Sequence, residues 1–158
     1  GKAVDLIIKF MTEYKKASIV LLFNDNGELL LQLRAAHDDS FPSHWDFSAG
    51  GGIDEGEDVK TSAEREIQEE LGVATNVTFI CQEHQTYPAW KQGVVRESDI
   101  WIFRAHHNGP FVPDPKEVER IEFFSLEAIK KMIDSGQKFH PEFLLTWGKG
   151  IIVKASVF

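Results

Sequence analysis

Residues 59–71 run without Gly or Pro, and their apolar and acidic positions are sorted onto separate faces. Val59, Ala63, Ile67 and Leu71 recur at helical spacing and form one slowly drifting apolar stripe at about 100° per residue. The spacing predicts a helix with Asp58 as N-cap and Gly72 as C-terminal stop. Gly50, Gly51 and Gly52 lie ahead of it, and three successive glycines predict a loop, because each weakens a helix or strand interior. On the helical projection Glu66, Glu69 and Glu70 share an arc of about 100° that overlaps one edge of the apolar stripe. Arg65 projects away from them.

This acidic arc is unfavourable as it stands. Like charges three and four residues apart destabilise a helix by a few tenths of a kcal/mol per pair, and negative charge in the last turns opposes the helix dipole. Two remedies exist: protonation of one carboxylate, or a bound divalent cation. Carboxylates without Cys or spaced His select a hard ion, Mg²⁺ with Mn²⁺ as the alternative, and the spacing is not that of an EF-hand. Between Gly51 and Val73 eight acids face two bases, which places −6 of the chain's net −8 in one short stretch. Such a focus repels nucleic-acid phosphates, so the expected partner is a small molecule and not DNA or RNA.

Around this helix the pattern alternates between β and α, which sets the fold class as α/β (α+β). Ala17–Phe23 and Glu28–Arg34 flank "NDNG" and predict a hairpin, while Val4–Lys16 fits either an amphipathic helix or an added strand. Asn76–Tyr87 and Val94–His107 predict two strands around a tip at "PAWKQG", and "VERIEFFS" predicts another. "SLEAIKKMIDSG" predicts a helix capped by Ser125, and a last helix starts near Pro141. The 158 residues suit one domain, 1–158, with an N-terminal extension over 1–16 and a helical segment over 136–158. No apolar run reaches the roughly 20 residues that span a bilayer, residues 1–16 lack a secretion-signal pattern, and Cys81 is alone. A cytoplasmic protein with no membrane partner is the expectation.

Gly51, Glu57, Arg65, Glu66, Ile67, Glu69, Glu70, Gly72 and Val73 match every specified position of G-x5-E-x7-R-E-U-x-E-E-x-G-U, with U aliphatic. The chain therefore resembles a Nudix hydrolase over roughly residues 17–135. The resemblance implies an α/β/α sandwich around a small mixed β-sheet carrying the loop-helix-loop of that motif. It also implies hydrolysis of a diphosphate linkage in a nucleoside diphosphate joined to a group X, with a homodimer as an admissible assembly. Carried over residue by residue, Glu66 and Glu70 are metal ligands, Glu69 a third ligand or the general base, and Glu57 a ligand through water. Arg65 orients Glu57. Gly51 permits the loop and Gly72 ends the helix.

"QLRAAHDDSFPSHWDFSAGG" and "RESDIWIF" also resemble the isopentenyl-diphosphate isomerase branch of the family. That isomerase needs a Cys and a metal-binding His where this chain has Gly50 and Gly52, which argues against its reaction. Glu97 and Asp99 alternate along a strand and face one way, so they are candidates to supplement the metal site. Arg34 is a candidate for substrate phosphate and Trp90 for substrate stacking, while Trp45 and Cys81 read as core. A non-catalytic binding protein on the same fold is the further alternative, and the intact acid set argues against it.

Overall fold

The computed structural model of the protein describes residues 1–3 and 11–157. The apolar run that follows Lys16 forms the second half of β1 (Thr12–Phe23), and its alternate side chains enter two different cores. Ala17, Ile19, Leu21 and Phe23 belong to one core, Val20 and Leu22 to the other. A strand buried on both faces must be apolar nearly throughout, which is why this run does not alternate with polar residues. Residues 12–16, left open between helix and strand, are strand; residues 4–10 of that segment lie outside the described residues.

The sheet has seven strands of mixed direction. β2 (Leu29–Arg34), β3 (Trp45–Asp46), β4 (Ala49–Gly52), β5 (Val77–Pro88), β6 (Val95–His106) and β7 (Val118–Phe124) join β1. β1 runs parallel to β6 along its whole length, and β5 lies antiparallel on the outer side of β6. The hairpin at "NDNG" is present, but β1 and β2 pair only at Phe23 and Leu29. Beyond that pair they part, β1 continuing with β4 and β2 with β7 and β3.

Helix α1 (Val59–Leu71) covers one face of the sheet. Ala63, Ile67 and Leu71 are fully buried there against Val20, Leu22, Leu30 and Phe103. Helices α2 (Leu126–Asp134), α3 (Pro141–Gly148) and α4 (Ile151–Ala155) cover the opposite face through Ile129, Phe143 and Ile152. The result is the expected α/β/α sandwich. Ser125 caps α2 by accepting from Ala128 N, and Trp45 is buried, both as anticipated.

Gly50–Gly52 depart from the expected loop: they form most of β4 and pair with Ser18, Ile19 and Ala17 of β1. Their backbone is ordinary strand, so Gly50 and Gly51 serve space and not conformation. A Cβ on Gly50 would lie 2.9 Å from the Ser18 carbonyl oxygen and 2.9 Å from Ile19 Cδ1. A Cβ on Gly51 would fall within 3.0 Å of all three carboxylate atoms of Glu66, whereas Gly52 has open space. Gly51 thus admits a side chain from α1 and does not act as a loop hinge.

Candidate active site

Helix α1 holds its acids in a fixed frame. Asp58 accepts from Thr61 N at 3.3 Å at the start, and Gly72 takes the left-handed conformation at φ 70° at the end. A Cβ at Gly72 would also stand 2.9 Å from Val112 Cβ, so the glycine both ends the helix and lets the following loop close over it. That loop is tied down by Val112 N donating to Leu71 O and Asp114 N to Glu70 O.

Arg65 corrects the helical projection. Its guanidinium donates to Glu57 at 2.8 and 3.0 Å, to Glu66 at 2.9 Å, to Glu69 at 3.2 Å and to the Gly52 carbonyl at 3.2 Å. The projection tracks Cα directions, while a long side chain swings back along the helix to its i+4 neighbour and across to the preceding loop. This Arg65 fork pulls the Glu57 carboxyl down to about 2, helped by Asp54 N, and the same acids push Arg65 up. Arg65 is the internal cation of the acid cluster.

Glu66 and Glu70 lie deepest, 7% and 3% exposed. Burial, followed by a hydrogen bond shared with Glu66, pushes the Glu70 carboxyl well above its ordinary range, while Gln32 opposes the shift by donating to Glu70 Oε1 at 2.7 Å. Glu70 Oε2 stands 3.5 Å from Gly50 N. Glu117, before β7, was not anticipated: burial and the charges of Asp114, Glu66 and Glu69 raise its pKa. Among the described residues no three carboxylate, imidazole or thiol groups converge to enclose an ion in this side-chain arrangement. Arg65 stands among Glu57, Glu66 and Glu69.

Glu70, Gln32 and Gly50–Gly52 line one end of a cleft, with Ala17, Ile19 and Phe47 among its walls and Lys15, His140 and Glu142 also lining it. Glu142 is 2% exposed and accepts from Lys15 Nζ at 2.9 Å and Tyr87 Oη at 2.8 Å. Sequence spacing carries no signal for it, because Glu142 and Tyr87 lie 55 residues apart. Arg34 lines the cleft but is committed to Ser40 O, Asp38 and Asp46 at 2.9–3.1 Å. Phe41 and Ser43 in that same loop hold positive φ of 46° and 56°.

Other expected residues stand apart. Glu97 and Asp99 do share a face, but their partners are His84 at 3.1 and 2.7 Å, with Tyr14 and Gln82 also donating to Asp99. None of their hydrogen bonds or ion pairs reaches α1. Trp90, at the β5–β6 tip, is half exposed and packs on Phe41 and His44 at ring distances of 5.3 and 5.5 Å. Cys81 is half-buried, and burial raises its thiol pKa. No described helix is long and apolar enough to cross a membrane.

A profile of the NUDIX domain matches residues 13–146. An uncharacterized Nudix hydrolase of Listeria monocytogenes is 31% identical over 127 residues, covering 80% of this chain and 72% of that protein. Among solved structures, the MutT protein of Methanosarcina mazei superposes with a TM-score of 0.71 at 19% identity, over 91% of this chain and 94% of that one. The NUDIX domain of Shewanella oneidensis NrtR, solved with ADP-ribose, superposes with a TM-score of 0.61 at 18% identity, over 78% and 80%.

Proposed function

The chain belongs to the Nudix family of hydrolases, and on that premise we propose that it cleaves the diphosphate linkage of a nucleoside diphosphate joined to a group X, or of a related small diphosphate, with Mg²⁺ as cofactor and Mn²⁺ as a substitute. The observation that carries this reading is the buried Glu66–Glu70 pair, with Glu66 packed against Gly51 and Glu70 lining the cleft. Two adjacent carboxylates with little exposure require a proton or a cation between them. The donor set fits a hard divalent ion: it is all oxygen, and it places one carboxylate where burial already disfavours charge.

Glu66 and Glu70 would hold the ion, with Glu57 acting through water and Glu69 either a third ligand or the general base. When bound, the ion neutralises diphosphate oxygens and lowers the pKa of water. The chain's own groups do the positioning. Gln32 fixes Glu70 through its amide, and Arg65 fixes Glu57 and restrains Glu66 and Glu69 until an ion takes over their charge. In the general-base role Glu69, the most exposed of the three, would turn from Arg65 and accept a proton from the attacking water. Arg34 acts by pinning the loop of Asp38 and Ser40 that borders the cleft, and Trp90 is a stacking surface for substrate at its rim. Glu97 and Asp99 form a separate cluster with His84 and lie outside this mechanism.

Isomerase chemistry is disfavoured by space as well as by residue type, since Gly50 has no room for a Cys side chain against Ser18 O. The test is a panel of diphosphates with Mg²⁺, comparing wild type with Glu70→Gln. At least one compound should turn over, with loss of about 10²-fold or more in the variant. Unchanged hydrolysis by Glu70→Gln refutes the assignment, and tight binding of one diphosphate without turnover favours the non-catalytic alternative.

A further inference from the structure

Beyond Lys15 and His140 the cleft continues into a second recess, which Lys15, Arg34 and His140 also border and which Arg96, Tyr87 and Ser40 complete. The strand register explains the meeting. Arg96 stands opposite both Glu13 of β1 and Tyr87 of β5, and Lys15 opposite Ser98, so Arg96 and Lys15 project from one sheet face at diagonal positions. Arg96 donates to Glu13 at 3.0 Å, and Glu13 is itself more than half exposed. Its Nε is buried and has no hydrogen-bond partner.

A buried guanidinium N–H without a partner is a cost that native structures resolve with a ligand or a water. The acids bordering this recess do not resolve it: Asp38 is bound to Arg34 and Ser40 N, and Asp39 is exposed. Lys15 is anchored from below by Glu142, which is not part of the recess wall, and it keeps about a third of its side chain open. One end of the cleft thus carries the Glu70 carboxylate and the other Lys15, with Arg96 in the recess beyond it.

We propose that this recess binds a second phosphate group of the substrate, carried on the part of the molecule beyond the scissile diphosphate, through the Arg96 fork and Lys15 Nζ. The identity of the occupant rests on the hydrolase reading; the anion site itself does not. About a quarter of the Arg96 side chain stays open, and once a ligand displaces the exposed Glu13 its planar fork suits a phosphate's paired oxygens, while Lys15 adds a point charge from the neighbouring strand.

The test is calorimetric titration of inorganic phosphate into the intact protein without divalent metal. Wild type should bind phosphate, Arg96→Ala should bind it about tenfold more weakly or worse, and Arg96→Lys should fall between. Glu13→Gln removes the competitor for Arg96 and should tighten binding severalfold, whereas Asp134→Asn, on exposed α2, should leave it unchanged. In kinetics with a diphosphate bearing a further phosphomonoester, phosphate should inhibit competitively. Equal affinity in wild type, Arg96→Ala and Glu13→Gln overturns the site. Non-competitive inhibition overturns its assignment to substrate. Turnover separates the two readings: Arg96-dependent phosphate affinity together with hydrolysis that Glu70→Gln abolishes supports both, while Arg96-dependent phosphate affinity in a wild type that hydrolyses no diphosphate of the panel removes only the hydrolase reading.

Discussion

Replacing Gly51 by Ala should dissociate activity from stability. The added Cβ falls within 3.0 Å of the Glu66 carboxylate, the far end of a flexible side chain, so Glu66 turns aside and the backbone stays. Turning it off its rotamer costs about 0.5–1.5 kcal/mol, and losing the 2.9 Å Arg65–Glu66 pair costs at most about 1 kcal/mol because Arg65 is partly solvated. Against this, Ala stiffens the unfolded chain and recovers about 0.5–1 kcal/mol. The net is about 1 kcal/mol, a fall in Tm of about 2–4 °C for a domain of this size. Activity should fall about 10²-fold, since a misplacement near 1 Å at a positioned group has that effect. Gly50→Ala is the comparison: its Cβ meets the Ser18 carbonyl, which is backbone, so about 1–3 kcal/mol of strain must go into the sheet. Thermal melts and hydrolysis of the best diphosphate from the panel read both quantities. A Gly51→Ala protein with wild-type turnover, or one destabilised more than Gly50→Ala, refutes the argument that Gly51 exists to admit Glu66.

Tyr87→Phe leaves the buried Glu142 with one strong donor fewer and should lower stability by about 1–2 kcal/mol with an unchanged urea m-value. Gly72→Ala combines a left-handed φ of 70° with a contact 2.9 Å from Val112, and should cost about 2–4 kcal/mol, measurable as a lower urea midpoint. His140 predicts a pH dependence. Burial lowers its pKa, and its Nδ1 caps α3 by accepting from Glu142 N, which only the neutral ring can do. The unfolded chain therefore takes up the proton first, so this contribution is complete above about pH 6.5 and is lost as pH falls toward the folded pKa. His140→Asn keeps an acceptor without the titration, and its urea midpoint should decline less than wild type between neutral and mildly acid pH; equal declines refute the assignment.

What could be read from the sequence was whatever repeats along one element. The α1 stripe, its Asp58 and Gly72 ends and the Ser125 cap all follow from local spacing. Contacts between elements could not be read that way. Gln32 meets Glu70 across 38 residues, and Glu117 is brought near the acids by a loop that Asp114 N ties to Glu70 O. Gly50 and Gly51 were misjudged because conformational freedom is visible in the residue type, whereas the neighbour that demands the space is not. Arg65 was misjudged because a projection onto a circle ignores the length of the side chain.

The pairing of β1 with β6 has a consequence for how the chain is made. Thr12–Phe23 is synthesised before both its longest partner, Val95–His106, and the Ala49–Gly52 strand on its other side. Until then "ASIVLLF" is an apolar, β-branched segment with two open edges, the kind of stretch that recruits copies of itself. Loop closure over that distance is slow compared with local helix formation, so α1 forms before β1 is enclosed. Yield in cells should then follow the time β1 waits for residue 106, and slowing synthesis between residues 52 and 95 should lower soluble yield without altering the finished fold.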